Sequence, residues 1–336
     1  MYEVKPAAYA RFLNRLKNFR RLRHLWPDGI LGAARWVFLE PVLDLLSPRW
    51  CNPVRNGYLI RYFRATLFGG LHRRALADLF PRRPTVQGYT MRAPRDMTDG
   101  RFEPFITILM RKLLPGHVTF VDCGAHVGYY TALASALGRD VIAIEPDPDN
   151  AQILLRNLLD NGWVNARVEM AALGETPGIM HLRNSGIYAS LVDGWAGTTK
   201  RSLLVPQRRL DDIVPTSCSN GLHLLIKLDV EGSELAAVSG SERLLAQEPA
   251  PCWLVEVIPG GLSPYVDKGE WETLLKKFLS AGYRAWGLVN WPKYRLLEVT
   301  AAELGTSRYS SDLRDVYMFL FSRNAACVAA LPPEFM

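Results

Sequence analysis

The chain is poor in cysteine: Cys51, Cys123, Cys218, Cys252 and Cys327 are the five it has in 336 residues. They are scattered, odd in number and never spaced as CxxC. This argues against a disulfide framework and against a structural zinc site, and it fits a reducing, cytoplasmic setting. Long apolar runs are lacking too. The most apolar early stretch, Ile30 to Leu46, is interrupted by Arg35, Glu40, Pro41 and Asp44. It makes a poor membrane span, although an amphipathic helix there can pack on the domain or lie on a membrane surface. No apolar core followed by a small-residue cleavage site stands near the start, so no secretory signal is expected. Internal repeats, low-complexity tracts and a GxxxxGK[ST] phosphate loop are absent. Disorder along the whole chain is excluded by a hydrophobic content of 49%.

What is present begins with positive charge. The formal net charge is +7. The excess gathers early, in Lys5, Arg11, Arg15, Lys17, Arg20, Arg21, Arg23, Arg35 and Arg49, against Glu3, Asp28, Glu40 and Asp44. Such a segment is either a solvated basic helix or a contact for an anionic partner. Helical spacing of Phe12, Leu16 and Phe19 predicts a helix over residues 7–25, and a second is expected over 30–46. Residues 1–90 are therefore expected to be a basic, mainly helical extension. The Pro-, Arg- and Gly-rich stretch 81–100 is expected to connect it to the rest of the chain.

From residue 100 to about 325 the pattern changes. Short apolar runs (Val118–Asp122, Val141–Glu145, Arg167–Ala172, Leu222–Val230, Cys252–Ile258, Arg284–Leu288 and Val316–Phe321) alternate with helical segments. The helices are expected at Pro104–Leu114, Tyr129–Leu137, Pro148–Leu159, Ser233–Ala246 and Glu270–Ala281. This alternation predicts an α/β fold with a doubly wound, mostly parallel, Rossmann-like sheet.

Two blocks carry chemistry. In Phe120-Val-Asp-Cys-Gly-Ala-His-Val-Gly-Tyr-Tyr-Thr131 a strand reaches Asp122, and Gly124, Ala125 and Gly128 turn into a helix. Small residues there suit close approach to a ligand. The dinucleotide fingerprint GxGxxG is not met, since His126 and Tyr129 fall where its later glycines would stand. The next strand ends on Glu145, where a carboxylate can accept from both ribose hydroxyls of a nucleoside. Asp122 is placed to face a positively charged methionyl group. Glu169 to Ala172, with Ala171 among them, can wall an adenine. Without a phosphate grip, the set points to S-adenosylmethionine. Tyr129 or Tyr130 is expected to face the sulfonium, and His126 to cap the turn rather than act as a base.

The second block, Leu224-Leu-Ile-Lys-Leu-Asp-Val-Glu-Gly-Ser-Glu234, embeds Lys227 in an apolar strand that runs to Asp229 and Glu231. Alternation along a strand would put these three charges on one face, where they must be paired or used. Glu256, ending the next strand, is a further candidate for the same cleft. Tyr188, Trp195 and Lys200, in the stretch Asn184 to Pro206, are candidates for a substrate loop.

The motifs VDCGAHVGYYT (121–131), VIAIEPDPDNAQILLRNLLDNG (141–162), AALGETPG (171–178), RLDDIV (209–214), LLIKLDVEGSELAAVSGSERLL (224–245) and WLVEV (253–257) resemble those of the FkbM-type methyltransferases. The resemblance is close over roughly 100–260 and does not reach residues 1–90. Two departures stand out: Cys123 where the family favours an aliphatic residue, and His126 where it often has Asn. The resemblance implies the Rossmann-like methyltransferase fold and O-methylation of a hydroxyl on a sugar, glycoconjugate or natural product. It further implies that Asp122, Gly124, Gly128 and Glu145 bind the cofactor, and that Lys227, Asp229 and Glu231 line the reaction cleft. The rivals are a methyltransferase for nucleic acid or protein, a silent cofactor-binding scaffold, and a nicotinamide-dependent oxidoreductase.

Overall fold

The computed structural model describes residues 80–183, 202–216, 223–257, 269–289, 295–300, 318–324 and 331. Residues 1–79 of the extension expected over 1–90, and the loop residues Tyr188, Trp195 and Lys200, lie outside the described residues. In chain order the strands are β1 (Arg83–Pro84), β2 (Thr90–Met91), β3 (Thr119–Cys123), β4 (Asp140–Ile144), β5 (Ala166–Glu169), β6 (Ala172–Leu173), β7 (Gly178–Arg183), β8 (Ser202–Arg208), β9 (Leu224–Leu228), β10 (Cys252–Glu256), β11 (Arg284–Val289), β12 (Arg295–Val299) and β13 (Met318–Ser322).

Eight of them form one sheet in the order β12-β11-β13-β10-β9-β3-β4-β5. The run β10-β9-β3-β4-β5 is parallel, and β13 lies antiparallel between β10 and β11. From β3 the chain winds outward through β4 and β5, then returns to the other side of β3 for β9 and β10. The strand order reverses between β3 and β9, and in open α/β sheets ligands bind beyond the carboxyl ends of the strands at that point. The fold is the expected Rossmann-like, mostly parallel α/β arrangement.

The central strands read as near-continuous apolar runs because both faces are covered. Val121 and Cys123 of β3, Ile142 and Ile144 of β4, and Leu224, Ile226 and Leu228 of β9 point into one cluster. Residues of the helices Glu234–Ser239, Glu242–Ala246 and Glu270–Ser280 complete it. Phe278 sits at its heart, stacked on Phe321 at 3.9 Å and edge-on to Trp253 and Tyr283. Truncating it to Ala would cost about 3–5 kcal/mol. The alternate residues Asp122 and Lys227 turn to the opposite face, towards the Tyr129–Ala136 helix.

The helix Pro148–Asn161 shows why the local sequence is legible. Asp147 caps it by accepting from the Asp149 N–H at 2.8 Å, Pro148 opens it, and left-handed Gly162 (φ +69°) closes it.

The structure departs from expectation in four places. The helix expected over Ser233–Ala246 is two helices broken at Gly240, where a Cβ would lie 2.2 Å from the Gly174 carbonyl oxygen. The second helix is capped from elsewhere: Asp211, in the RLDDIV motif, accepts from the N–H groups of Arg243 and Leu244 at 2.8 and 3.1 Å. A small sheet, β6-β8-β7, and the edge strand β12 were not anticipated. The first of these interrupts the strand–helix rhythm that marks the rest of the domain. Residues 81–100, expected as a connection, are instead a folded strap. It holds the β1–β2 pair and the short helix Arg95–Thr98, and it buries Met91 and Ala93 completely.

Candidate functional site

Two strand-to-helix turns meet at the carboxyl ends of β3 and β9. The first, Gly124–Gly128, needs left-handed backbone at Gly124 (φ +82°), His126 (φ +51°) and Gly128 (φ +85°). A Cβ on Gly124 would sit 1.7 Å from the carbonyl oxygen of Asp229, and one on Gly128 would sit 2.8 Å from Leu154 Cγ. The room that sequence reasoning reserved for a ligand at these two positions is thus filled by the protein itself. Most of the amides in this turn are also spent internally. Gly124 and Ala125 both donate to the Ile144 carbonyl at 2.9 and 3.0 Å, and Gly128 donates to Ala125 at 2.7 Å.

The remaining fixed amide, His126 N–H, donates to Glu145 Oε2 at 2.8 Å. Glu145 Oε1 accepts from the Asp147 N–H at 2.9 Å and from Asn150 Nδ2 at 3.3 Å. Burial pushes this carboxyl up to about 7, against the pull of those donors. A carboxylate offers about four acceptor positions, so Oε2 keeps one for a further donor. Burial likewise drives the His126 imidazole down to about 4, although Asp229 works the other way. It is therefore neutral at neutral pH.

Asp122 is buried and accepts from Thr131 Oγ1 at 2.6 Å. Burial raises its carboxyl, while Lys227 and Thr131 pull it back. Glu169 ends β5. Its carbonyl accepts the Glu145 N–H at 3.0 Å, and its carboxylate pairs with Arg208 at 3.2 Å and Arg167 at 3.4 Å. The side chain is thereby tied to the small sheet. Ala171 is buried, and Met170 stands exposed next to it.

The second turn begins where β9 stops, at Leu228. Simple alternation therefore places Lys227 but not Asp229 and Glu231, which sit in the turn; Glu231 is itself left-handed (φ +53°). Lys227 lies opposite Asp122 in the strand register. Its Nζ donates to Asp229 Oδ2 at 2.7 Å and stands 4.9 Å from the centre of the Tyr130 ring. Burial works to lower the ammonium's pKa, but Asp229, Glu103 and Asp122 together outweigh it and hold it above its ordinary value. The charged lysine is therefore built into the site. Glu256 at the end of β10 is pushed well up, first by burial and then by Asp229, with which it shares a hydrogen bond, and by Glu231 and Glu103.

The two tyrosines have different fates. The cation over the Tyr130 face is Lys227 itself, and the Tyr130 hydroxyl donates to Glu103 Oε2 at 2.7 Å. The Tyr129 hydroxyl is engaged by Thr107 at 3.2 Å and by Gln87 at 3.1 Å.

Sequence reasoning missed two residues here. Glu103 precedes Pro104 yet adopts a left-handed conformation (φ +38°), a strained state for a non-glycine, and its carboxylate reaches the strand-end cluster. Only its position before a helix-opening proline hinted at it. Glu234 accepts from the N–H groups of Val230 and Gly232, both at 3.1 Å, and pins the second turn; burial pushes it up to about 7. An acid in the first turn of a helix was the available signal.

The site thus sets Glu103, Asp122 and Asp229 around one buried cation, with Glu256 against Asp229 and Glu231 near Glu256, next to a turn whose amides are largely spent. A pyrophosphate needs free N–H donors, whereas a cationic nucleoside needs carboxylates. This set of acceptors fits the second.

The fold that carries these residues is Rossmann-like. Residues 122–285 match the family model described as the methyltransferase FkbM domain. Among solved structures, it is similar to the methyltransferase FkbM from Methylobacillus flagellatus KT, at 20% identity and a TM-score of 0.38 over 86% of this chain and 60% of that one. The chain thus spans 60% of the length of that relative. It is also similar to a putative O-methyltransferase from Klebsiella pneumoniae, at 13% identity and a TM-score of 0.34 over 85% and 96% of the two chains. A third is the precorrin-6y C5,15-methyltransferase from Geobacter metallireducens GS-15, at 11% identity and a TM-score of 0.35 over 66% and 89%. No curated protein matches the sequence. Among the described residues, no helix is long and apolar enough to cross a membrane.

Proposed function

We propose that the chain transfers a methyl group from S-adenosylmethionine to a hydroxyl oxygen of a sugar, glycoconjugate or natural product. The observation that carries the cofactor assignment is the pairing of a turn with spent amides and a strand-end cluster rich in carboxylates. Glu145, with an acceptor position left on Oε2, would take a ribose hydroxyl. Asp122 and the neighbouring carboxylates would face the positive charge of the methionyl end. S-adenosylmethionine supplies, when bound, a methyl group already activated on sulfur.

The protein's share is position and proton handling. Holding the acceptor in line contributes about 7–11 kcal/mol. Asp229, oriented by Lys227 Nζ and sharing a hydrogen bond with Glu256, would take the hydroxyl proton, and a placed base adds roughly 10²–10⁴-fold. Glu231 would orient the acceptor. The test is transfer of labelled methyl to a panel of hydroxylated saccharides by wild type, Asp229→Asn and Glu231→Gln. Turnover that survives both substitutions sinks these roles.

The basic residues in 1–50 would bring the enzyme to an anionic surface, such as that of a lipid-linked acceptor. Cosedimentation with anionic vesicles that ignores ionic strength would sink that part.

A further inference from the structure

The strap of residues 82–93 lies outside the matched family domain, yet it touches the cofactor turn through one buried side chain. Asn157, on the helix Pro148–Asn161, is 1% exposed. Its Oδ1 accepts from the Arg92 N–H at 2.7 Å, and its Nδ2 donates to the Arg92 carbonyl at 3.2 Å. The same Nδ2 donates to the Val127 carbonyl, inside the glycine turn, at 2.9 Å. One helical turn further on, Asn161 repeats the grip on Thr90. Its Oδ1 accepts from the Thr90 N–H at 3.1 Å, and its Nδ2 donates to the Thr90 carbonyl at 2.8 Å.

The spacing explains why two asparagines four apart can hold two strap residues two apart. Four helical residues rise about 6 Å, and two extended residues span about 6.7 Å. The amides thus act as a substitute strand edge. Asp160 adds an ion pair with Arg92 at 2.9 Å, and its carbonyl accepts from Arg82 Nη2 at 2.6 Å. Gln87 reaches Tyr129, the first residue after the turn.

The turn is therefore pinned at two adjacent groups, His126 N–H by Glu145 and Val127 C=O by Asn157, and the second pin is shared with the strap. We propose that Asn157 is a positioning residue that makes strap docking and cofactor binding a single coupled equilibrium. This rests on the cofactor assignment proposed for the site. Coupling of this kind is reciprocal: a docked strap tightens the cofactor by the same factor by which the cofactor tightens the strap.

The test uses the full chain with S-adenosylhomocysteine as probe. Calorimetric affinity is compared for wild type, Asn157→Asp, and the double variant Arg82→Ala, Asp160→Ala, which loosens the strap without touching the turn. Amide hydrogen exchange at Thr90 and Arg92 is followed in wild type with and without the probe. The expected results are affinity losses of about tenfold in both variants, and slowing of strap exchange by a comparable factor on probe binding. Wild-type binding with unchanged affinity in the double variant and unchanged strap exchange would overturn the coupling alone. No binding by folded wild type would overturn the cofactor assignment and the coupling with it. The exchange measurement needs no variant, so a failure of Asn157→Asp to fold leaves the proposal exposed to refutation.

Discussion

The turn after β3 and the turn after β9 are built alike and used differently. Each follows a buried strand, each needs left-handed backbone, and each is pinned by a buried glutamate that accepts main-chain N–H groups. Glu145 does this for the first turn and Glu234 for the second. Burial pushes both carboxyls up to about 7. The first turn spends its amides on shape. The second carries charge, with Asp229 paired to Lys227 and close to Glu256. A strand-end turn can thus serve as a mould or as a charge holder on the same scaffold, and the side chains it presents decide which.

The comparison breaks most severely where the two turns touch. Gly124→Ala would drive a methyl group into the main-chain carbonyl of Asp229, at a left-handed position. Strain and overpacking together should cost on the order of 4 kcal/mol, read as a fall in thermal midpoint and loss of soluble protein. A variant as stable as wild type would show that the two turns can separate freely.

Next in size is the charge of the second turn. Asp229→Asn leaves the buried Lys227 ammonium without its nearest counter-charge. A loss of about 3 kcal/mol in denaturant stability is expected, smaller than for a fully buried pair because Asp229 is partly exposed. Loss of methyl transfer should accompany it. The matching change in the first turn, Glu145→Gln, should lower affinity for S-adenosylhomocysteine instead.

The shared glutamates predict a pH effect with a definite sign. Both carboxyls sit above their unfolded values near 4.5. Their contribution to stability is therefore fully present below pH 4.5 and is lost as pH rises through about 7. Each accounts for on the order of 3 kcal/mol across that window. Glu234→Gln should flatten the decline seen in denaturant titrations between these pH values; a slope unchanged from wild type would deny the burial that sets it.

The smallest effect on stability is expected at Glu103. Glu103→Gly relieves a left-handed residue but removes the acceptor for Tyr130 and one of the carboxylates facing Lys227. The net change should be a loss of about 1 kcal/mol, while methyl transfer falls. A large gain in stability with unchanged turnover would make Glu103 an accident of the chain path.

Much of this was legible beforehand, for physical reasons that differ by region. The strands β3, β4, β9 and β10 could be placed because runs such as VIAIE and LLIKL have little else they can form, and the glycine turn because Gly124 and Gly128 have no substitute. Asp122, Glu145 and Lys227 are conspicuous in the sequence because each is a charge in or just after an apolar run. Glu234, Asn157 and Asp211 were not found, because each works by bonding main-chain groups, and nothing local marks such a partner. The edge strand β12 and the small sheet β6-β8-β7 escaped because they break the strand–helix alternation. The left-handed state of Glu103 ran against local preference, as strained positions do.

The most direct test of the central claim is calorimetric titration of the full chain with S-adenosylhomocysteine, beside the double variant Asp122→Ala, Glu145→Ala. Micromolar binding by wild type, lost by a variant that remains folded, is the expected result. A well-folded wild-type protein that binds nothing, or a variant that binds as well as wild type, would contradict it.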